Sequence, residues 1–123
     1  MKKILIILTS LTLMLSASQD AFAHAQITLT SPLKNKVVKK LPDLVWIEFD
    51  GNLITLDNKG VNSLFVQDSK KRRVDDGASF VGGARISVKL KSGTLPGKYL
   101  VSYRVVSEDG HPVSGSYYFS YQP

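Results

Sequence analysis

No cysteine occurs anywhere in the 123 residues. That excludes disulfide staples, thiolate metal sites and thiol catalysis, so the core of this chain must hold by packing alone. Methionine is nearly as scarce: the two present, Met1 and Met14, both fall within the first 23 residues. The remainder offers no sulfur ligand, and a transition-metal site there has to be built from imidazole, amine, carboxylate or carbonyl groups. Histidine is limited to His24 and His111. Helical patterning is missing as well, since no segment beyond residue 23 carries a 3.6-residue apolar period. The one long apolar run, 4–15, is too short to cross a bilayer comfortably, and polar residues 16–20 follow it.

That run reads as an address. Lys2 and Lys3 form a basic start, 4–15 an apolar stretch, and Ala21-Phe22-Ala23 a small-residue cleavage motif, the pattern of a secretory signal peptide. Cleavage after Ala23 gives an exported chain, 24–123, that begins with His24. A rival cut after Ala25, at Ala23-His24-Ala25, discards His24 and leaves Gln26 in front. The first cut is favoured because its two alanines flank a bulky apolar residue rather than an imidazole. Residues 24–123 suffice for one domain with a single core and are too few for two.

The full chain carries 16 basic and 10 acidic residues; Lys2, Lys3 and Asp20 leave with the leader, so 14 face 9. The basic residues cluster at Lys34, Lys36, Lys39 and Lys40, and again at Lys70, Lys71, Arg72 and Arg73. Both clusters read as solvated loops or sheet edges, where charge discourages pairing with foreign strands. Neither has interleaved aromatics, and no nucleic-acid motif is present, so nucleic acid is not an expected partner. Attraction to an anionic membrane surface is permitted by the charge but is unspecific.

What is abundant is period-two alternation. Val45, Ile47 and Phe49 alternate with Leu44, Trp46 and Glu48, and Ile86, Val88 and Leu90 with Arg85, Ser87 and Lys89. The same pattern runs through 98–106 and 116–121, with shorter candidates at 26–30 and 63–67. Turn chemistry separates the runs at Asn58-Lys59-Gly60, Asp75-Asp76-Gly77, Gly82-Gly83 and Leu95-Pro96-Gly97. About seven short strands in roughly one hundred residues predict an all-β fold, a small antiparallel sandwich or Greek-key barrel of immunoglobulin-like type. Trp46, on an early central strand, is assigned to the core.

The stretch SEDGHPVSG, 107–115, lies between the two longest strand patterns and therefore at one end of the sandwich. Asp-Gly, Pro and a second Gly make a turn. If 108–111 stays extended, Asp109 and His111 project to the same side. Should a chain beginning at His24 meet them there, its α-amine and Nδ1 chelate one metal ion, His111 adds a second imidazole, and Asp109 adds an anionic oxygen. Three nitrogens and an oxygen suit a tetragonal Cu(II), with Zn(II) the competing ion. Cu(I), which favours sulfur, is expected to bind weakly. Acid should release the ion, because amine and imidazole must shed their protons to coordinate.

Three segments, HAQITLTSP (24–32), LVWIEFDGNL (44–53) and PGKYLVSYRVVSEDGHPVSGSYYFS (96–120), resemble the CopC family of periplasmic copper-binding proteins across nearly all of 24–123. The last segment is the most specific, with Gly-x-Tyr, Val-Ser-x-Asp-x-His and Gly-x-x-x-Phe in register. The resemblance implies a cupredoxin-like β-barrel in the periplasm that binds one Cu(II) through His24, Asp109 and His111. It also implies a role in copper homeostasis or resistance as a carrier or buffer, in some members beside a CopD-type inner-membrane protein; a monomer is the expectation for this chain. Two departures stand out. A methionine-rich Cu(I) site is impossible here, and where some members have a Glu after the early strand this chain has Phe49-Asp50-Gly51-Asn52, in which Asp50 is read as a turn carboxylate ahead of a role supporting the metal ligands. An enzyme is not expected: a histidine-brace copper oxygenase fits poorly with an anionic Asp109 and so short a chain. An immunoglobulin-like interaction module without metal is the alternative, and it gains if the cut falls after Ala25.

Overall fold

The computed structural model describes residues 25–56 and 60–123. Residues 1–23, read from sequence as a leader, and His24 lie outside this range, as do Asn58 and Lys59 of one predicted turn. Eight strands follow in order: β1 (Ile27–Ser31), β2 (Val37–Val38), β3 (Leu44–Phe49), β4 (Ser63–Gln67), β5 (Asp75–Gly82), β6 (Arg85–Leu90), β7 (Gly97–Val106) and β8 (Pro112–Tyr121). They form two four-stranded sheets ordered β1-β3-β6-β5 and β2-β8-β7-β4, a Greek-key sandwich. All pairings are antiparallel except β2 with β8.

The alternation explains the core. Val45, Ile47 and Phe49 of β3 and Ile86, Val88 and Leu90 of β6 turn inward from one sheet, facing Leu64 and Val66 of β4, Val101 and Val105 of β7, and Phe119 of β8 from the other. Each buried aliphatic side chain contributes roughly 1.5–3 kcal/mol by leaving water, which is how a chain without disulfides holds together.

Parity also overrides chemistry at one predicted core residue. Trp46 occupies the outward phase of β3 between buried Val45 and Ile47 and is only half-buried. The Arg85 guanidinium covers it, 3.8 Å above the ring, while bonding Glu48 through Nη2 at 2.7 Å. The assignment of Trp46 to the core is therefore corrected: Arg85 supplies from outside the cover that the core does not.

Two other expectations change. Asp75-Asp76-Gly77, predicted as a turn, begins strand β5 and carries a register irregularity between Asp75 and Ser79. The displaced side chains close the sandwich along one side. Asp75 Oδ2 accepts the Val66 N–H at 2.8 Å, and the Ser79 hydroxyl accepts the Leu64 N–H and donates to the Leu64 C=O, each at 2.9 Å. Side chains of β5 thus satisfy the backbone of edge strand β4. Strand β8 begins at Pro112, four residues ahead of the predicted start at Ser116, because β7 pairs with it in unbroken register from Gly97↔Tyr121 to Val106↔Pro112.

Within that ladder Gly115 faces Tyr103, whose ring lies across it and meets Phe49 edge-on at 5.8 Å. A Cβ at Gly115 would stand 2.7 Å from Tyr103 Cζ. We expect Gly115→Ala to cost about 1–3 kcal/mol by displacing a ring already packed against Phe49. The urea midpoint should drop at unchanged m-value, and Tyr103→Ala in the same chain should recover part of the loss specific to the clash.

Candidate metal centre

Strand directions sort the connections between two ends of the sandwich. One end gathers residues 25 and 26, the segment after β3, the β5–β6 turn and the β7–β8 turn. The β7–β8 turn holds Asp109 and His111. Val106 and Pro112 close the ladder; Ser107 then receives the Gly110 N–H on its carbonyl at 2.8 Å, and its own N–H reaches the His111 carbonyl at 3.4 Å. Gly110 has φ +83°, a conformation that glycine adopts without a steric penalty. The stretch is thus a three-residue hairpin loop, and the expected extended geometry for 108–111 is corrected. Asp109 and His111 nonetheless meet, brought together by the turn instead of by strand parity.

Their contact is direct. Asp109 Oδ2 lies 3.0 Å from His111 Nδ1, while Oδ1 accepts the His111 backbone N–H at 3.1 Å and a short bond from the buried Ser107 hydroxyl. The Ser107 hydroxyl foremost, then the His111 side chain and backbone N–H, hold the Asp109 carboxyl well below the usual carboxylate range. Asp109 Oδ2 and His111 Nδ1 thus face each other, and the tautomer of the ring decides which nitrogen carries the lone pair that a metal ion would take. The His111 side chain is 65% exposed and that of Asp109 23%, so both are accessible to an ion.

Residues 25 and 26 come to the same end. Ala25 is buried in the core. Gln26 donates its N–H to Asp50 Oδ1 at 3.0 Å and accepts the Asp50 N–H on its carbonyl at 2.8 Å. Three residues on, Leu53 bridges Ser107 and the Ile54 N–H bonds the Val106 carbonyl. The segment from Asp50 to Ile54 therefore ties the start of β1 to the base of the Asp109–His111 turn. Asp50, read from sequence as a turn carboxylate, anchors the backbone just beyond His24. Asn62 locks the other side, donating to the Ile54 carbonyl at 2.6 Å and accepting the Val106 N–H at 2.8 Å.

Of the three proposed ligands, the structure brings Asp109 and His111 together, and His24 lies outside the described residues. Among the described residues no group of three or more His, Asp or Glu side chains is placed to hold a metal ion. Sequence reasoning missed Ser107 and Asn62. The Ser-x-Asp spacing signals the first, because a hydroxyl two residues away bonds a turn carboxylate. Asn62 gave no local signal, since its partners lie 8 and 44 residues away.

Residues 27–122 match the CopC domain family. Over 105 residues the chain is 34% identical to the copper transport protein CutJ of Bacillus subtilis (strain 168), a match covering 83% of this chain and 19% of that protein. Among solved structures, CopC from Methylosinus trichosporium OB3b superposes with a TM-score of 0.70 at 26% identity, over 81% of this chain and 95% of that one. PcoC, a methionine-rich copper resistance protein from Escherichia coli, shares the fold at a TM-score of 0.66 and 22% identity, over 81% of this chain and all of its own.

Proposed function

The chain belongs to the CopC family, and from that premise we propose that it is an exported carrier or buffer that holds one Cu(II) ion and performs no chemistry on it. The observation that supports this most directly is the Asp109–His111 pair, standing at the end of the sandwich where residues 25 and 26 join the fold. In this reading residues 1–23 are a signal peptide removed after Ala23, and 24–123 is the copper-binding domain in the periplasm. His24 binds through its α-amine and Nδ1, His111 through its ring, and Asp109 through a carboxylate oxygen. The donors suit Cu(II) in a tetragonal field, and the absence of sulfur from 24–123 disfavours Cu(I).

Reduction or acid then empties the site, which fits a protein that gives its cargo up. The acceptor in this reading is a CopD-type inner-membrane protein. The relative CutJ, named as a copper transport protein, supports a role in copper transport.

The test is intact mass of the exported protein followed by titration of the same material with Cu(II) and with Cu(I). A chain beginning at His24 that takes up one Cu(II) and binds Cu(I) far more weakly is the expected result. A chain beginning at Gln26, or one beginning at His24 that ignores Cu(II), overturns the reading and leaves the metal-free interaction module.

A further inference from the structure

Most of the basic residues, in runs separated along the sequence, converge at the end of the sandwich opposite the Asp109–His111 turn. Lys39 and Lys40 stand in the β2–β3 connection. Lys70, Lys71, Arg72 and Arg73 occupy the β4–β5 connection. Lys89 and Lys91 flank the end of β6, and Lys98 opens β7. Backbone bonds join these connections into one surface: Leu90 N–H to the Asp43 carbonyl at 3.0 Å, and Lys91 N–H to the Val74 carbonyl at 2.8 Å. All nine basic side chains belong to exposed residues.

The charge balance is uneven. This end holds nine basic residues against four acidic ones, of which Asp68 is paired with Arg72 and Asp75 with Arg73. The other described residues contribute four basic side chains, Lys34, Arg85, Arg104 and Lys36, the last beside Ser120, the partner of Lys98, and four acidic ones, Glu48, Asp50, Glu108 and Asp109. The net charge of the described residues is therefore all at one end. Strand β7, ten residues long, separates the ends by about 30 Å, several times the Debye length of about 8 Å at physiological ionic strength. The acidic groups near Asp109 cannot screen the basic end.

An exposed leucine marks what that end meets. Leu95, in the β6–β7 connection between Lys91 and Lys98, is 69% exposed. A soluble polyanion needs only the lysines; an apolar side chain projecting among lysines suits an interface of anionic headgroups above acyl chains.

We infer that the basic end is a docking surface for an anionic phospholipid bilayer, which holds the domain peripherally and turns the Asp109–His111 end about 30 Å away, toward solvent. The access of that docking surface to a bilayer in the cell rests on export; the interaction itself does not.

The experiment is co-sedimentation of the exported, metal-free protein with vesicles of phosphatidylcholine alone or with about 30 mol% phosphatidylglycerol. Binding is expected with the anionic vesicles and is lost as salt is raised. The double substitution Lys70→Glu with Lys71→Glu should weaken it by roughly 30-fold or more. The charge-matched pair Lys34→Glu with Arg104→Glu should change it by less than about 3-fold, because those charges lie outside the surface. Leu95→Ser should weaken vesicle binding while leaving retention on soluble polyphosphate unchanged. Circular dichroism melts check that each variant folds. Equal binding to neutral vesicles, absence of binding at low salt, equal loss in both charge pairs, or indifference to Leu95→Ser would each overturn the inference. His111→Ala should leave vesicle binding intact, so the copper reading and the bilayer reading fail separately.

Discussion

Asp75→Ala is expected to remove about 3–5 kcal/mol of stability, the largest single loss expected outside the apolar core among the described residues. The side chain of Asp75 is fully buried. Its Oδ1 accepts the Gly77 N–H at 2.8 Å and Arg73 Nη2 at 2.6 Å; its Oδ2 accepts the Val66 N–H at 2.8 Å and Arg73 Nε at 3.2 Å. Alanine leaves two backbone donors and a guanidinium without that carboxylate, and the penalty is the desolvation of those donors more than the loss of attraction. Asp75→Asn, with the same shape, offers one acceptor and turns an amide N–H₂ toward a donor, so about 2 kcal/mol is expected. Arg73→Ala should cost less than either, since Arg73 is partly exposed and the backbone N–H bonds to Asp75 survive it. Urea unfolding checks the order. A loss below about 1 kcal/mol for Asp75→Ala would mean that water replaces the carboxylate, and the closure of β4 onto β5 would need another account.

The same residue sets a pH dependence. Burial raises the Asp75 pKa, but the Arg73 side chain and the N–H groups of Val66 and Gly77 outweigh it and hold the carboxyl below its ordinary value. A folded-state value below the unfolded value of about 3.9 makes the unfolded chain take up the proton first as pH falls. The contribution is therefore complete above about pH 4 and is lost as pH drops through the folded value. Asp75→Asn should flatten that part of the stability profile without altering its neutral plateau beyond the constant offset.

Asp75 also shows why part of the fold was legible in the sequence and part was not. Strands β3, β6 and β7 alternate over six to ten residues, long enough for period two to declare itself. Strand β2 is two residues, Val37 and Val38, and exists because β8 runs beside it, a relation no local pattern carries. Asp75-Asp76-Gly77 has turn chemistry, yet the carboxylate that usually bends a turn here reaches a different strand, so tertiary bonding overrode local preference. Trp46 went wrong in the opposite sense: its hydrophobicity pointed inward while its position in the alternation pointed out, and Arg85 made the second workable. The Asp109–His111 contact was legible as a two-residue spacing, but the turn brings the two side chains together rather than the extended strand that the spacing pointed to. The basic runs were legible one by one, but their convergence at one end was not, because it joins three connections far apart in sequence.

If the proposed copper site is right, His111→Ala is expected to weaken Cu(II) binding by a chain that begins at His24 by at least about 100-fold, while stability changes by no more than about 0.5 kcal/mol. The two readouts separate because His111 stands in a solvent-exposed hairpin loop whose turn is closed by Ser107, Gly110 and the β7–β8 ladder. Removing its ring takes a nitrogen donor from the ion and leaves that backbone geometry available. Asp109→Asn should fall between the wild type and His111→Ala in affinity, since it removes the anionic charge but keeps an amide oxygen for the ion. Ser107→Ala should cost about 10–100-fold if the hydroxyl orients Asp109 for the ion, as groups behind metal ligands commonly do. Electron paramagnetic resonance of the Cu(II) form supplies the check that affinity alone does not: nitrogen hyperfine structure should lose one imidazole contribution in His111→Ala and keep it in Ser107→Ala. An unchanged spectrum and affinity in His111→Ala would remove this hairpin from the copper site. A matching loss of stability would instead assign it to the fold.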